Sequence, residues 1–154
     1  MDIQFIDKND GNIEKYNVLT DIYKIGKSSL PIYYKLFHLL EFLNDPMYII
    51  YKCVLKNVII GYVIIEICSN SRIHIMSIAI SNEYRRRGFG SNILMFLRNK
   101  FENYTISLYV QVENKQAVQF YVKNGFKIKK KIENYYNDLE HKHAYYCEQT
   151  KKIF

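Results

Sequence analysis

The sequence has few of the residues that break a chain into separate parts. Among its 154 residues there are two prolines and six glycines, without a proline-rich or serine-rich linker or an internal repeat, so we expect one domain over residues 1–154. No apolar run approaches the roughly 18 residues of a membrane-spanning helix. The first residues carry no charged-then-apolar targeting signal. We therefore expect a soluble protein of the cytoplasm, or alternatively of the nucleus, with no membrane partner.

Cysteine is also scarce, which argues against a disulfide framework or a structural metal site. Cys53, Cys68 and Cys147 are odd in number and far apart, with no C-x-x-C pair and no histidine cluster beside them. Isolated cysteines of this kind usually serve as small buried hydrophobes in a reducing compartment. We expect no bound metal ion.

Positive charge is in excess. Lysine and arginine number 22 against 15 acidic residues, for a formal net charge of +7. Such a balance fits nucleic acid, an acidic membrane surface or a polyanionic cofactor as a partner. Four lysines between residues 127 and 131 accompany Ile128 and Ile132, which predicts a solvated strand edge; docking to a ribosome is the weaker alternative. No direct contact with DNA is expected.

A strand, a basic glycine loop and a helix follow one another between Arg72 and Lys100. Residues 73–80 are apolar and β-branched, as in a buried strand, and apolar residues at helical spacing occupy 92–99. A helix start has unpaired N–H groups and the positive end of the helix dipole, and glycine allows close approach. The sequence therefore predicts a phosphate-binding loop formed by Arg85, Arg86, Arg87, Gly88, Phe89, Gly90 and Ser91.

The remaining pattern predicts a mixed α/β fold in the order β-α-α-β-β-β-α-β-α-β-β. Its central strand-helix-strand unit implies a parallel pair with a right-handed crossover. Lys56 and Asn57 are predicted to turn a hairpin, and Gly61 to mark a bend or bulge. Strands are predicted at residues 2–6, 47–55, 57–68, 73–80, 105–112, 127–135 and about 143–151. Helices are predicted at 12–29, at 92–99 and at 115–124, and a loop and a second short helix are predicted to follow the first of these.

Two motifs carry a resemblance to a known family. Arg85-x-x-Gly88-x-Gly90 resembles the Gln/Arg-x-x-Gly-x-Gly/Ala signature of the GNAT superfamily of acetyl-CoA-dependent N-acyltransferases, and it lies between a strand and a helix as it does there. Residues 110–126 resemble that family's fifth strand and following helix. The resemblance implies a single GNAT domain with a mixed, mostly antiparallel sheet, whose one parallel pair splays apart to admit acetyl-CoA.

The resemblance also implies cofactor contacts. Backbone groups of Ile78, Ala79 and Ile80 would pair with the pantetheine arm, and one N–H there would polarise the thioester carbonyl. Asn114 and Tyr121 match positions near the cofactor's sulfur. Tyr121 would return a proton to the departing thiolate; packing beside Phe120 is an equally weighted alternative for it.

A narrower resemblance covers nearly the whole chain. It is to the N-terminal acetyltransferases of the NatE or San type, which acetylate nascent chains beginning with methionine and an apolar residue and can ride on a larger ribosome-bound complex. The motifs that carry it are Leu30-Pro31-Ile32-x-Tyr34, Ile75-Met76, Leu108-Tyr109-Val110-Gln111 and Glu133-Asn134-Tyr135-Tyr136-x-x-Leu139-Glu140. By this match the substrate-binding residues are Leu30, Pro31, Ile32, Tyr34, Met76, Tyr135, Tyr136 and Leu139.

The chain departs from that family at its catalytic pair. His74 occupies the family's tyrosine position and Tyr109 its histidine position. Period-2 alternation predicts that His74, Met76 and Ile78 share one face of their strand. An imidazole with an ordinary pKa near ~6.5 suits a general base at neutral pH. We therefore predict that His74 is the base and that Tyr109 orients a water; simple packing of His74 in the strand is the alternative.

Two other functions remain open on sequence grounds. The first is a GNAT domain that acetylates lysine side chains or a small amine. A polyamine acceptor calls for a carboxylate-lined pocket, whereas the predicted pocket is apolar and aromatic. The second is a non-catalytic module that binds coenzyme A, against which the intact glycine loop and the available proton acceptor argue.

Overall fold

The computed structural model describes residues 1–150. Within them lie seven strands and four α-helices, in the predicted order. The strands are β1 Asp2–Phe5, β2 Tyr48–Leu55, β3 Val58–Cys68, β4 Arg72–Ile80, β5 Thr105–Gln111, β6 Lys127–Ile132 and β7 Ala144–Gln149. The helices are α1 Asn12–Ser29, α2 Leu36–Asn44, α3 Phe89–Lys100 and α4 Lys115–Lys123. The predicted fold class is confirmed.

Some predicted bounds are wrong. The sixth strand ends at Ile132 instead of residue 135, because the next residues form a turn in which Asn134 has a φ of 54°. The third helix begins at Phe89, three residues earlier than predicted, so Gly90 lies within its first turn. Lys151, the predicted end of the last strand, lies outside the described residues.

The sheet has the strand order β1-β2-β3-β4-β5-β7-β6, and its one parallel pair within residues 1–150 is β4 with β5. These two strands pair only from Arg72–Ile75 to Thr105–Leu108. Beyond that point β4 pairs with β3 alone and β5 with β7 alone. The predicted splay is confirmed, and it leaves backbone groups on two facing edges free to bind something else.

Two local features of the hairpin between β2 and β3 agree with the prediction from the sequence. Lys56 and Asn57 both have positive φ values, 49° and 64°, as a two-residue type I′ turn requires. A register shift between Cys53 and Val54 places a bulge next to Gly61. A Cβ on Gly61 would lie 2.6 Å from the carbonyl oxygen of Ala79, so only glycine allows β4 to approach this closely.

A second bulge corrects the prediction for β4. Ile65 pairs with Ile75 and Ile64 with Ser77, so Met76 is an extra residue between them. An inserted residue resets the period-2 alternation. Ile78 consequently packs into the core cluster beneath α3, whereas Met76 packs against the cluster beneath α1 and α2. The predicted common face for His74, Met76 and Ile78 is therefore wrong for Ile78.

Apolar side chains cover both faces of the sheet. One buried cluster lies between the sheet and α3, with Ile93, Leu94 and Leu97 contributed by that helix. The other lies beneath α1 and α2 and includes Leu19 and Leu39. Strand β6, with its lysines, is exposed at one edge, as predicted. In the described part of the chain no helix is both long and apolar enough to span a membrane, and no cluster of three potential metal ligands occurs.

Candidate active site

A cavity of about 540 Å³ opens where β4 and β5 separate. Its wall includes most of the predicted catalytic and substrate-binding residues. From those sets the lining residues are Leu30, Pro31, Ile32, Tyr34, His74, Met76, Tyr109, Tyr121, Tyr135 and Tyr136. Of the predicted cofactor residues, Ile78 and Asn114 also line it. Leu139 does not, although its N–H donates to the carbonyl of Tyr136 at 3.1 Å.

The glycine loop leads directly into the start of α3. Gly88 is the N-cap, with a left-handed φ of 81° and no side-chain cap. The first helical hydrogen bond runs from Asn92 N–H to the Gly88 carbonyl at 3.0 Å. The N–H groups of Phe89, Gly90 and Ser91 therefore have no acceptor within the helix. This end of α3 suits an anionic group such as a phosphate.

Glycine is required at Gly88 and at Gly90 for different structural reasons. A Cβ on Gly88 would meet nothing within 4 Å, so its positive φ is what requires glycine there. A Cβ on Gly90 would lie 3.0 Å from the ring of Phe120. Gly90 thus allows α3 and α4 to pack closely. From the sequence we expected this glycine only to allow a ligand to approach, and that prediction missed its role in helix packing.

The three arginines also differ. The Arg85 guanidinium donates to the carbonyls of Ser29 and, at 3.3 Å, Ile80, so it ties the loop to the ends of α1 and β4. Arg86 is exposed and has a φ of 60°. Arg87 lies over the ring of Tyr84, 5.4 Å from its centroid. Arg85 therefore has a structural function, while Arg86 and Arg87 are exposed charges at the loop's surface that suit an anion.

His74 and Tyr109 lie side by side across the splay, with ring centroids 5.1 Å apart. His74 Nδ1 is 2.9 Å from the hydroxyl oxygen of Ser107. Burial lowers the pKa of His74 from 6.5 to about 4. The expectation of an ordinary imidazole pKa is therefore wrong, and at neutral pH the ring is an uncharged proton acceptor.

Aromatic rings continue from Tyr109 over the mouth of the cavity. Tyr109 stacks on Tyr135 at 4.3 Å, and Tyr135 packs edge-on against Tyr136 at 4.8 Å. Burial raises the pKa of Tyr136 above its ordinary range and that of Tyr34 to about 12. These phenols stay protonated at neutral pH, so they can both donate and accept hydrogen bonds.

Tyr121 and Asn114 lie on the α4 side of the cavity. Burial raises the pKa of Tyr121 well above its ordinary value, so its hydroxyl remains a proton donor. The side-chain oxygen of Asn114 accepts from the N–H of Ala117 at 3.2 Å and caps α4. Asn114 therefore has a structural function in addition to any contact with a ligand.

Sequence reasoning missed several polar residues of the wall. Glu66 on β3 lies opposite His74 in the sheet register and lines the cavity. The prediction of a wholly apolar and aromatic pocket is therefore wrong at this position. A single carboxylate in an otherwise apolar strand was the available signal. Arg72, Ser107 and Tyr146 also line the cavity, and they belong to separate strands with no local motif in common.

Burial of His74 predicts a specific loss of stability in acid. In the unfolded chain its pKa is near ~6.5, whereas in the folded protein it is about 4. Between these values the unfolded state binds more protons, so stability falls as pH drops from about 6.5 to about 4, by about 3 kcal/mol from this group. Denaturant unfolding at both pH values should show the loss, and His74→Phe should show correspondingly less of it. An equal loss in both proteins would contradict the assignment.

Comparison with known proteins agrees with this geometry. The model of the acetyltransferase (GNAT) family matches residues 14–126. An N-alpha-acetyltransferase of Saccharolobus solfataricus is 29% identical over 137 residues, which cover 79% of this chain and 82% of that protein. N-alpha-acetyltransferase 50 of Danio rerio is 33% identical over 88 residues, 53% of this chain and 51% of that protein.

A solved structure extends the comparison to the whole fold. Arabidopsis thaliana Naa50 in complex with the bisubstrate analogue CoA-Ac-MVNAL aligns with a TM-score of 0.71 and 23% identity, over 100% of both chains. The resemblance drawn from the sequence motifs is confirmed, as is the expectation of an acetyltransferase. With a family match over residues 14–126 and the splayed sheet in place, the chain belongs to the acetyltransferase (GNAT) family.

Proposed function

We propose that this protein transfers the acetyl group of acetyl-CoA to the N-terminal α-amine of peptides or nascent chains, preferring methionine followed by an apolar residue. The observation that carries the proposal is the cavity, whose wall runs from the splay to an aromatic mouth that includes Tyr109 and Tyr135. The relatives named N-alpha-acetyltransferases support it.

The residues present fit coenzyme A. The uncapped start of α3 and the charges of Arg86 and Arg87 suit its diphosphate. Backbone groups of Ile78, Ala79 and Ile80 on the open edge of β4 suit its amide-containing arm. When bound, acetyl-CoA would supply the acyl carbon that an amine attacks and a thiolate as the leaving group. Tyr121, whose raised pKa keeps its phenol protonated, would donate its hydroxyl proton to that sulfur.

His74 takes the proton that the amine loses as its bond to the acyl carbon forms, directly or through a water held by Tyr109. With a pKa of about 4 the imidazole is too weak to deprotonate a free ammonium. The α-amine, with a pKa near ~8, is uncharged in on the order of a tenth of molecules at pH 7. The reacting species is this neutral amine, and the aromatic wall contributes by positioning it. Exchange with solvent then restores His74 and Tyr121.

The biological setting that we propose is the cytoplasm, with a protein N-terminus as substrate and a ribosome-associated acetyltransferase complex as partner. The net charge of +7 and the exposed lysines of β6 support a partner rich in negative charge. Both parts of this setting depend on the proposed activity.

Glu66 favours a second candidate function, the acetylation of lysine side chains or of another amine that carries a second positive charge.

Three peptides separate the candidate functions: one beginning Met-Leu, the same peptide blocked at its amino end and carrying an internal lysine, and one beginning Met-Lys. Mass spectrometry locates the acetyl group. We expect rapid α-acetylation of Met-Leu and little reaction of the blocked peptide. Faster reaction of the blocked peptide would favour the lysine function, and no thioester consumption with any peptide would favour a binding module.

Glu66→Gln tests whether this carboxylate selects substrates with a positively charged second residue. Glu66 is half-buried, and no cation lies within ion-pair distance of it among residues 1–150. Loss of an attraction of about 1 kcal/mol is expected to lower kcat/KM for Met-Lys about fivefold and to leave that for Met-Leu nearly unchanged. Glu113→Gln, at an exposed position, is the matched control. Equal effects on both peptides would show that Glu66 has no part in selectivity.

A further inference from the structure

A row of polar contacts leads from His74 along the cavity wall across three strands. His74 pairs in register with Ser107 on β5, and Ser107 with Glu148 on β7. His74 Nδ1 lies 2.9 Å from Ser107 Oγ, and the Tyr146 hydroxyl donates to Glu148 Oε1 at 2.8 Å. Arg72 Nη1 donates to the same carboxylate oxygen at 2.7 Å and to the Tyr146 oxygen at 3.1 Å.

Ser107 is the buried member of this row. Its exposure is 4%, and it and Gln111 are the buried polar residues within residues 1–150. A hydroxyl costs free energy when it is buried unless hydrogen bonds replace those it made with water. Two such partners lie within hydrogen-bond distance of Ser107 Oγ: the His74 ring at 2.9 Å and the Ile73 carbonyl at 3.4 Å.

The neighbours of Ser107 favour one direction for its hydrogen bonds. The Ile73 carbonyl can only accept, and Ser107 Oγ donates to it at 3.4 Å. The Tyr146 proton points to the Glu148 carboxylate, so the Tyr146 oxygen on the next strand is likewise an acceptor. With its one proton directed to an acceptor of this kind, Ser107 turns a lone pair toward His74. The bond between the two then requires a proton on His74 Nδ1.

We propose that Ser107, backed by Tyr146 and Glu148, is a positioning residue that holds His74 as the Nδ1–H tautomer and presents its bare Nε2 to the acceptor amine. This inference rests on the proposed function. As the amine nitrogen bonds to the acyl carbon, its proton passes to Nε2, and the Nδ1–H bond to Ser107 shares the resulting positive charge. The proton then leaves to solvent.

Nitrogen NMR of the protein labelled with ¹⁵N-histidine tests the tautomer without any substrate. The chain has four histidines, and His74→Gln identifies the His74 signals by their loss. At neutral pH the wild type is expected to show a protonated Nδ1 and an unprotonated Nε2 at His74. Ser107→Ala should move both signals toward the opposite tautomer, and Ser107→Thr, which keeps the hydroxyl, should restore them.

A matched control separates this effect from general disturbance of the wall. Ser77→Ala removes a hydroxyl that bonds Tyr62 at 3.0 Å, on the same strand as His74, and it should leave the His74 nitrogen signals in place. Tyr146→Phe is the second test variant, because it keeps Ser107 and removes the link to Glu148. It should shift the His74 signals in the same direction as Ser107→Ala but less far, and it serves if Ser107→Ala does not fold.

Kinetics provide an independent reading. Ser107→Ala is expected to lower kcat about tenfold with the peptide KM unchanged, since the residue acts on His74 and not on the substrate. If the wild type acetylates no peptide, the proposed function fails while the tautomer result stands. If the wild type is active but neither the nitrogen signals nor kcat change in Ser107→Ala and Tyr146→Phe, the positioning role is wrong.

Discussion

Replacing His74 with phenylalanine is expected to lower kcat/KM for a Met-Leu peptide by about a hundredfold or more, the usual effect of removing a positioned proton acceptor. A phenyl ring has nearly the shape of the imidazole, so packing against Tyr109, 5.1 Å away, should persist. Steady-state assays of thioester consumption measure the effect. His141→Phe is the control, because it makes the same exchange at an exposed side chain.

The pH dependence of this variant distinguishes the mechanism further. Because burial lowers the pKa of His74 to about 4, the ring does not change its charge between pH 6 and pH 8. The wild-type kcat/KM should instead rise with pH as the α-amine, with a pKa near ~8, loses its proton. His74→Phe should show the same rise at a lower rate. An unchanged rate would reduce His74 to a packed strand residue, and a wild-type inflection near pH 6.5 would contradict its low pKa.

Gly88→Val is expected to weaken binding of coenzyme A by about a hundredfold or more. Valine is strained at the φ of 81° that Gly88 adopts. The loop must then rearrange and misplace at least two N–H groups, each worth about 1.5–3 kcal/mol to a charged acceptor. Isothermal titration calorimetry with coenzyme A measures the change. The fold should survive, since a Cβ here meets no atom within 4 Å.

Gly11→Val is the matched control for the loop. Gly11 is also a helix N-cap with nothing within 4 Å of its Cβ position, but its φ of −52° suits any residue. We expect this variant to bind coenzyme A as the wild type does. If Gly88→Val also binds normally, the diphosphate does not lie at the start of α3.

Features fixed by neighbouring residues could be predicted from the sequence. The Lys56–Asn57 turn depends on two residues that tolerate positive φ, and the loop before α3 depends on a glycine at its N-cap. The paired motifs around Gly88 and Phe126 identified the family because each is contiguous. In these cases the physical cause lies within a few residues of its effect.

Features that depend on distant partners could not be predicted. The bulge at Met76 arises from the register between β3 and β4, and it moved Ile78 to the other face. The partners of Arg85 lie near residues 29 and 80. Ser107 lies beside His74 only because three strands align it between His74 and Glu148. Sequence spacing alone contains no signal for such alignments.

A crystal structure of the protein bound to coenzyme A joined through an acetyl group to the α-amine of a Met-Leu peptide tests the central claim most directly. We expect the diphosphate about 3 Å from the N–H groups of residues 89–91, the sulfur between β4 and β5 near Tyr121, and the peptide nitrogen beside His74 and Tyr109. A diphosphate elsewhere on the surface, or a peptide that enters away from the tyrosines at the cavity mouth, would contradict the account.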